Sequence, residues 1–160
     1  MAEKATIFMF SGDMDKVHKA LLIVNSFAAC GMEVTVLFAC WGLNVVKKDR
    51  GPIRGAKSLL QKMMSRMNRG GISRLPLSRF HWMGIGKRMM QWMMKSHGVP
   101  AMAELISKAK QSGARMWACR MTMDVTGVAQ EDLIPEIDRI VCLDEYSREV
   151  MGSKVNLFIS

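Results

Sequence analysis

The sequence predicts a three-layer α/β/α sandwich on a five-stranded, mostly parallel sheet, with an inserted pair of methionine-rich basic amphipathic helices. Three observations carry this expectation. Short β-rich apolar runs alternate with segments of helical apolar spacing at both ends of the chain. Turn residues separate them. The alternation is broken once, at about 47–98, where methionines and basic residues concentrate. At 160 residues the chain fits one domain, 1–160, long enough to bury a core. Apolar residues at 49% and charged residues at 23% lie near globular averages, which excludes a disordered, collagenous or disulfide-scaffold protein.

The first element is Lys4 to Phe10, a short β-rich run that stops at Ser11-Gly12-Asp13. Asp13 to Cys30 follows as a helix, with Val17, Leu21, Val24, Phe27 and Ala28 at helical spacing. Asp13 and Asp15 read as a helix cap and a first-turn acid rather than a catalytic pair. Gly31 closes the helix, Glu33 to Phe38 is a second buried strand, and Ala39-Cys40-Trp41-Gly42 begins the loop beyond it. Only Glu33 is charged between Ala20 and Val46, but Gly31 and Glu33 divide that stretch into pieces too short to span a bilayer of about 30 Å.

The alternation resumes after Pro100. Residues 101–112 read as a helix, then come a strand from Arg115 to Ala118, Cys119, and a segment opening toward Asp124 and Gly127. A helix-like Gln130 to Ile134, a strand from Arg139 to Cys142, the stretch Leu143 to Val150 and a last strand from Val155 to Ile159 complete the chain. Right-handed crossovers between such strands give a parallel sheet covered on both faces. The order of the strands stays open. A flavodoxin-type order, 2-1-3, inserts the first strand between the ends that carry Cys40 and Cys119 and sets them about 10 Å apart, so no stable disulfide is expected.

Charge is concentrated in the insert. Residues 47–97 hold 13 Lys and Arg against the single acid Asp49, a local +12, while the remainder has 10 basic and 13 acidic residues, so the overall +9 does not describe a general nucleic-acid binder. Leu59, Leu60, Met63, Met64 and Met67 form one helical stripe; Trp82, Ile85, Met89 and Met93 form a second, with Lys87, Arg88, Gln91 and Lys95 on the opposite face. Asn68-Arg69-Gly70-Gly71 and Pro76 link them. The apolar stripes exceed what a core of this size needs. A subunit contact is the first expectation for them, and a membrane-surface contact through residues 81–95 the second. Only six mostly apolar residues follow Lys4 before Ser11, so no secretory leader is expected; a cytoplasmic location and reduced thiols follow.

In a parallel sheet the chemistry collects beyond the carboxyl ends of the strands, here Ser11 to Asp15, Cys40 to Gly42, Cys119 to Asp124 and Leu143 to Tyr146. Cys119 stands between a strand and a helix start, beside Arg120. Both the helix start and the guanidinium favour the thiolate, the species that exchanges sulfur. Cys119 is therefore expected to alkylate before Cys30 and Cys142. Cys40 has the same address without a neighbouring cation, Cys142 closes a strand, and Cys30 reads as a small buried hydrophobe. There is no CxxC or HxxxH, and His18, His81 and His97 lie far apart, so no metal is expected. Gly84-Ile85-Gly86-Lys87 lacks the glycine and hydroxyl positions of a phosphate loop, since His81 and Arg88 stand there, and no GxGxxG follows the first strand. No cofactor is expected.

The stretch Ala118-Cys119-Arg120-Met121-Thr122-Met123-Asp124-Val125-Thr126-Gly127 resembles the AC-x-M-x-MDV-x-G motif of the DsrE/DsrF-like family, in the DsrEFH superfamily, specifically the branch often labelled peroxiredoxin-like. SGDMDK after the first strand, the VTVLFACWGL segment and the methionine-rich insert resemble that branch as well, so the resemblance spans the chain. It implies a sulfur-transfer protein that holds sulfane sulfur as a persulfide on Cys119, takes it from a rhodanese-type donor and passes it to a TusA-type carrier, without a cofactor or nucleic acid, commonly as an oligomer. Arg120, Asp124, Cys40 and Trp41 are the supporting candidates, with Trp41, Met121 and Met123 expected to line a dry pocket. Cys40 departs from the pattern, since many relatives carry threonine there. Two other readings remain. One is a non-catalytic module that grips a partner or membrane surface with its insert. The other is a thiol peroxidase, disfavoured because Met116 replaces the threonine typical three residues before the reactive cysteine.

Overall fold

The computed structural model describes residues 2–49, 53, 55–68, 70–79 and 85–160. The expectations placed on His81, Trp82 and Gly84, on Arg69 and on the Met67 side chain lie outside this set. Five parallel strands form one sheet: β1 (Lys4–Met9), β2 (Glu33–Phe38), β3 (Arg115–Cys119), β4 (Arg139–Val141) and β5 (Val155–Ile159). The helices are α1 (Met14–Ala29), α2 (Leu59–Met67), α3 (Ile85–Ser96), α4 (Met102–Gln111), α5 (Arg120–Thr126) and α6 (Leu143–Met151). Tight 3-10 turns occupy Cys40–Val46, Ile72–Arg74 and Gln130–Asp132. The last replaces the helix expected from Gln130 to Ile134.

The strand order is β4-β3-β2-β1-β5. It differs from the 2-1-3 order weighed above: β2 lies directly between β1 and β3, and Phe38 pairs with Ala118. Right-handed crossovers allow either order, depending on which face their helices cover; here α1 and α4 both pack into one core on one face, so their crossovers step in the same direction. Successive right-handed crossovers from β1 through β4 each add a strand on the same side, and only the α6 crossover returns to the far edge to place β5 beside β1. That return sends α6 to the opposite face from α1 and α4.

Period-two alternation divides the strand residues between two cores. Ile7, Met9, Val36, Phe38, Met116 and Ala118 face α1 and α4, where Val17, Leu21, Val24, Leu105, Ile106 and Ala109 complete the larger core. Leu37, Ala39, Trp117, Cys119 and Val141 face the other way and pack with Tyr146 of α6. This second layer is thin. Phe8 stacks on Phe158 at 4.9 Å, and Phe158 is 64% exposed.

At the start of α1, Asp13 holds the N-cap position but pairs with Lys16 at 3.1 Å instead of closing a backbone amide. Asp15 sits in the first turn and accepts hydrogen bonds from the Ser78 amide and hydroxyl at 3.0 and 2.6 Å, which tie the insert to the body. Burial works to raise the Asp15 carboxyl, but the Ser78 bonds outweigh it and hold the group below its ordinary range. Cys30, expected inside, is exposed: it is the C-cap of α1, where the chain turns away and the apolar stripe has ended.

The insert folds as two helices, but its apolar stripes turn outward. Leu59, Leu60 and Met63 on α2 and Ile85, Met89 and Trp92 on α3 are all exposed. The polar face of α3 meets the body: Lys87 Nζ donates to the Ser73 carbonyl at 2.5 Å, and Gln91 Nε2 reaches Met14 Sδ at 3.7 Å.

Candidate functional site

The ends of β2 and β3 build the site. β3 ends at Cys119, which is also the N-cap residue of α5, so the strand delivers this cysteine straight to the first turn of a helix. Alternation puts Cys119 on the same face as Trp117, two residues earlier. Its side chain is 3% exposed and belongs to the cluster of Leu37, Ala39, Trp117, Val141 and Tyr146. Arg115 and Arg139 lie 5.7 and 5.5 Å from the Trp117 ring, so two guanidinium groups flank the aromatic floor of this cluster. Burial raises the Tyr146 phenol, and a hydrogen bond with Thr6 works against it.

This lining corrects the expectation for the pocket. Met121 and Trp41 are exposed at 61% and 52%, and Met123 is buried in the larger core on the other side of the sheet. The dry surroundings of Cys119 come from Leu37, Trp117, Val141 and Tyr146 instead. One sequence signal bore on this: in Trp117-Ala118-Cys119 the period of two puts Trp117 and Cys119 on one face. Tyr146 carried no such signal, because its position depends on α6 crossing to the second face.

Burial works against the alkylation order expected from local charge. Cys30, Cys40 and Cys142 are exposed while Cys119 is buried, and all four are free thiols. No strand intervenes between β2 and β3, so the separation expected from a 2-1-3 order does not apply to Cys40 and Cys119. The β2–β3 register ends at Phe38–Ala118; Ala39 follows in extended conformation, and Cys40 already begins the tight turn.

Cys40 starts the tight turn after β2 with φ +51°, a left-handed conformation that residues other than glycine seldom occupy. Its amide donates to Thr122 Oγ1 at 3.0 Å, joining the turn to the first turn of α5. The neighbouring Gly42 is required by contact: a Cβ there would lie 2.0 Å from the Met9 carbonyl oxygen, and the Gly42 amide donates to the Phe10 carbonyl at 2.8 Å. The turn is thereby pressed against the end of β1, which holds Cys40 and Trp41 at the strand-end surface.

Among the other candidates, Arg120 is the first residue of α5 and opens onto a shallow groove of about 370 Å³ shared with Gln130, Pro135 and Arg139. Asp124 is exposed, and its carbonyl accepts a hydrogen bond from Gln61 Nε2 at 3.1 Å. Gly127, which ends the cysteine motif, has a double role. It closes α5 at φ +73°, and a Cβ there would stand 2.9 Å from Ala56 Cα, so the insert seats directly on the end of α5. No cluster of three or more His, Cys, Asp or Glu side chains arranged for a metal occurs among the described residues.

The uncharacterized protein YrkE of Bacillus subtilis is 35% identical over 158 residues, spanning 98% of this chain and 97% of that one. The sulfur carrier protein DsrE2 of Allochromatium vinosum is 26% identical over 140 residues, 85% of this chain and 86% of that one. Among solved structures, MTH1491, a protein of unknown function from Methanobacterium thermoautotrophicum, superposes with a TM-score of 0.57 at 12% identity over 98% of both chains, a likeness of fold alone. A family model matches residues 1–158, from before β1 through to β5, and on that match the chain belongs to the DsrE/DsrF/DrsH-like family.

Proposed function

We propose that this protein is a sulfur carrier that holds sulfane sulfur as a persulfide on Cys119 and yields it to an acceptor thiol. Family membership and the likeness to a named sulfur carrier support a sulfur-relay role in general. The observation that carries the specific assignment is the position of Cys119: the end of an interior strand, the N-cap of α5, and an apolar enclosure. The free amides that open α5 offer donors to an anionic sulfur, and the enclosure of Trp117, Leu37, Val141 and Tyr146 excludes the water and oxidants that would consume a persulfide.

Chemically, the Cys119 thiolate attacks the outer sulfur of a donor persulfide, the donor thiolate leaves, and the sulfur stays bound until a second thiolate repeats the exchange on it. The step is redox-neutral and uses no cofactor. A rhodanese-type donor and a TusA-type acceptor are the partners of this reading, the cytoplasm its place, and a homo-oligomer its working form. No helix among the described residues is long and apolar enough to cross a membrane. The assembly is supported by the outward apolar stripes of α2 and α3, which a single chain leaves in water. The test is discharge: protein preloaded with sulfur and mixed with a TusA-type thiol protein passes one sulfur to it, and Cys119→Ser passes none. Equal transfer by Cys119→Ser removes the assignment.

A further inference from the structure

The face of the sheet turned away from Cys119 carries a cavity of its own. It has a volume of about 600 Å³, within the range of small-molecule sites, and it lies where α1, the entry to α4 and α3 of the insert meet. Cys119 belongs to the layer on the other side. Met14, Ile72, Met94, Val99 and Met102 supply apolar wall, and His18, 2% exposed, is the buried polar side chain among the described lining residues.

His18 Nε2 lies 2.9 Å from the Pro100 carbonyl oxygen. A carbonyl only accepts, so the single N–H of the neutral ring sits on Nε2 and Nδ1 is left as a bare acceptor. Nδ1 is buried and finds no partner in the structure. Buried polar atoms in folded proteins are paired in the large majority, so a lone acceptor on a residue that walls a cavity marks a place for a donor. A water answers this poorly, because it needs about two to four polar partners and the methionines around His18 offer none of strength. The exposed acids of the lining are already engaged. Asp49 Oδ1 accepts from the Ser73 amide and hydroxyl at 3.3 and 2.8 Å, and Glu104 Oε2 accepts from the Ala101 amide at 3.1 Å.

We propose that this cavity binds a small uncharged aromatic molecule carrying one O–H or N–H donor, of the phenol or indole class. Its donor meets His18 Nδ1, and its ring packs against Met14, Met94 and Met102, whose polarizable thioethers suit an aromatic surface. An ionised carboxylate or phosphate is the wrong class, since it has no proton to give Nδ1 and adds charge beside two carboxylates. The molecule bridges two parts of the fold. Met14 and His18 stand on α1, Met94 stands on α3, and Gln91 Nε2 of α3 already reaches Met14 Sδ at 3.7 Å, so occupancy also fastens the insert to the body. The site is independent of the carrier reading, because no part of it involves Cys119.

The experiment is NMR of methyl-labelled methionines on the full chain, titrated with p-ethylphenol and with p-ethylanisole, which keeps the ring and lacks the donor. In the wild type, p-ethylphenol shifts Met14, Met94 and Met102 saturably, leaves Met151 of α6 unmoved, and binds about tenfold more tightly than p-ethylanisole. His18→Phe keeps a ring without either nitrogen, and in it the two probes bind within about twofold of each other. Met94→Trp fills the cavity from the α3 side, leaves His18 and its Pro100 bond in place, and abolishes the saturable shifts at Met14 and Met102 with both probes. Circular dichroism confirms that each variant is folded; if His18→Phe is not, the ratio of the two probes in the wild type and the Met94→Trp titration decide. Equal affinity of the two probes for the wild type overturns the donor assignment. Shifts confined to Met63 and Met89 on the outward stripes, or shifts at Met14 and Met102 that persist in Met94→Trp, overturn the site.

Discussion

Cys119 and Cys40 divide what the sequence offered as two similar strand-end thiols. Local charge favoured reactivity at Cys119, whereas accessibility belongs to Cys40, Cys30 and Cys142. Under native conditions at neutral pH, iodoacetamide therefore labels those three before Cys119, and in denaturant all four react at similar rates; peptide mapping that finds Cys119 labelled first in the native protein contradicts the burial. Lys47 gives a second residue-scale test. It is buried beneath Gly70, and burial pulls its ammonium below the ordinary lysine value of 10.5, with Asp132 acting in the opposite direction. Below 10.5 the unfolded chain holds the proton more tightly than the native one. Stability from this group is thus withheld while both states are protonated and gained as pH rises through the folded value toward 10.5. Urea midpoints of wild type minus Lys47→Met rise across that alkaline window; a flat difference shows that Lys47 is not held in the buried state.

Gly127 matters at the scale of elements because α5 and the insert meet there. Alanine at this position strains a left-handed backbone and drives a Cβ to 2.9 Å from Ala56, so Gly127→Ala costs about 1–3 kcal/mol in urea unfolding, with α2 loosened from α5. A change within 0.5 kcal/mol contradicts the seating of the insert on the end of α5. The elements themselves were legible in sequence to within a residue or two, because alternation in EVTVLF and helical spacing in residues 14–29 are local properties. The side each element faces was not. Nothing local in LDEYSREVM says that α6 crosses to the second face, yet that crossing brings Tyr146 onto the Cys119 layer. The stripe on α3 was legible as a stripe, while its outward direction depends on Gln91 and Lys87 docking on the body.

For the molecule as a whole, the strand order decides which strand ends are neighbours. With β2 beside β3, the turn that begins at Cys40 bonds to the first turn of α5, which Cys119 caps. The sequence bears little on that order, since it is set by the sum of crossovers and not by any segment. The insert belongs to this scale too: its described apolar faces point away from its own core within a +12 segment, and in the proposed homo-oligomer a subunit interface would cover them without burying the charge. Light scattering then finds an oligomer at low and high salt, and Met89→Lys with Met93→Lys gives a monomer that remains folded. A wild-type monomer, or vesicle binding that salt abolishes, assigns the stripes elsewhere.

The central claim is tested most directly by intact-protein mass spectrometry after incubation with persulfurated rhodanese. Wild type gains about 32 Da, one sulfur, removed by reductant and mapped to Cys119, and Cys119→Ser retains no stable increment there because a hydroxyl cannot carry sulfane sulfur. An unmodified wild type, or a stable increment that survives in Cys119→Ser, contradicts the claim.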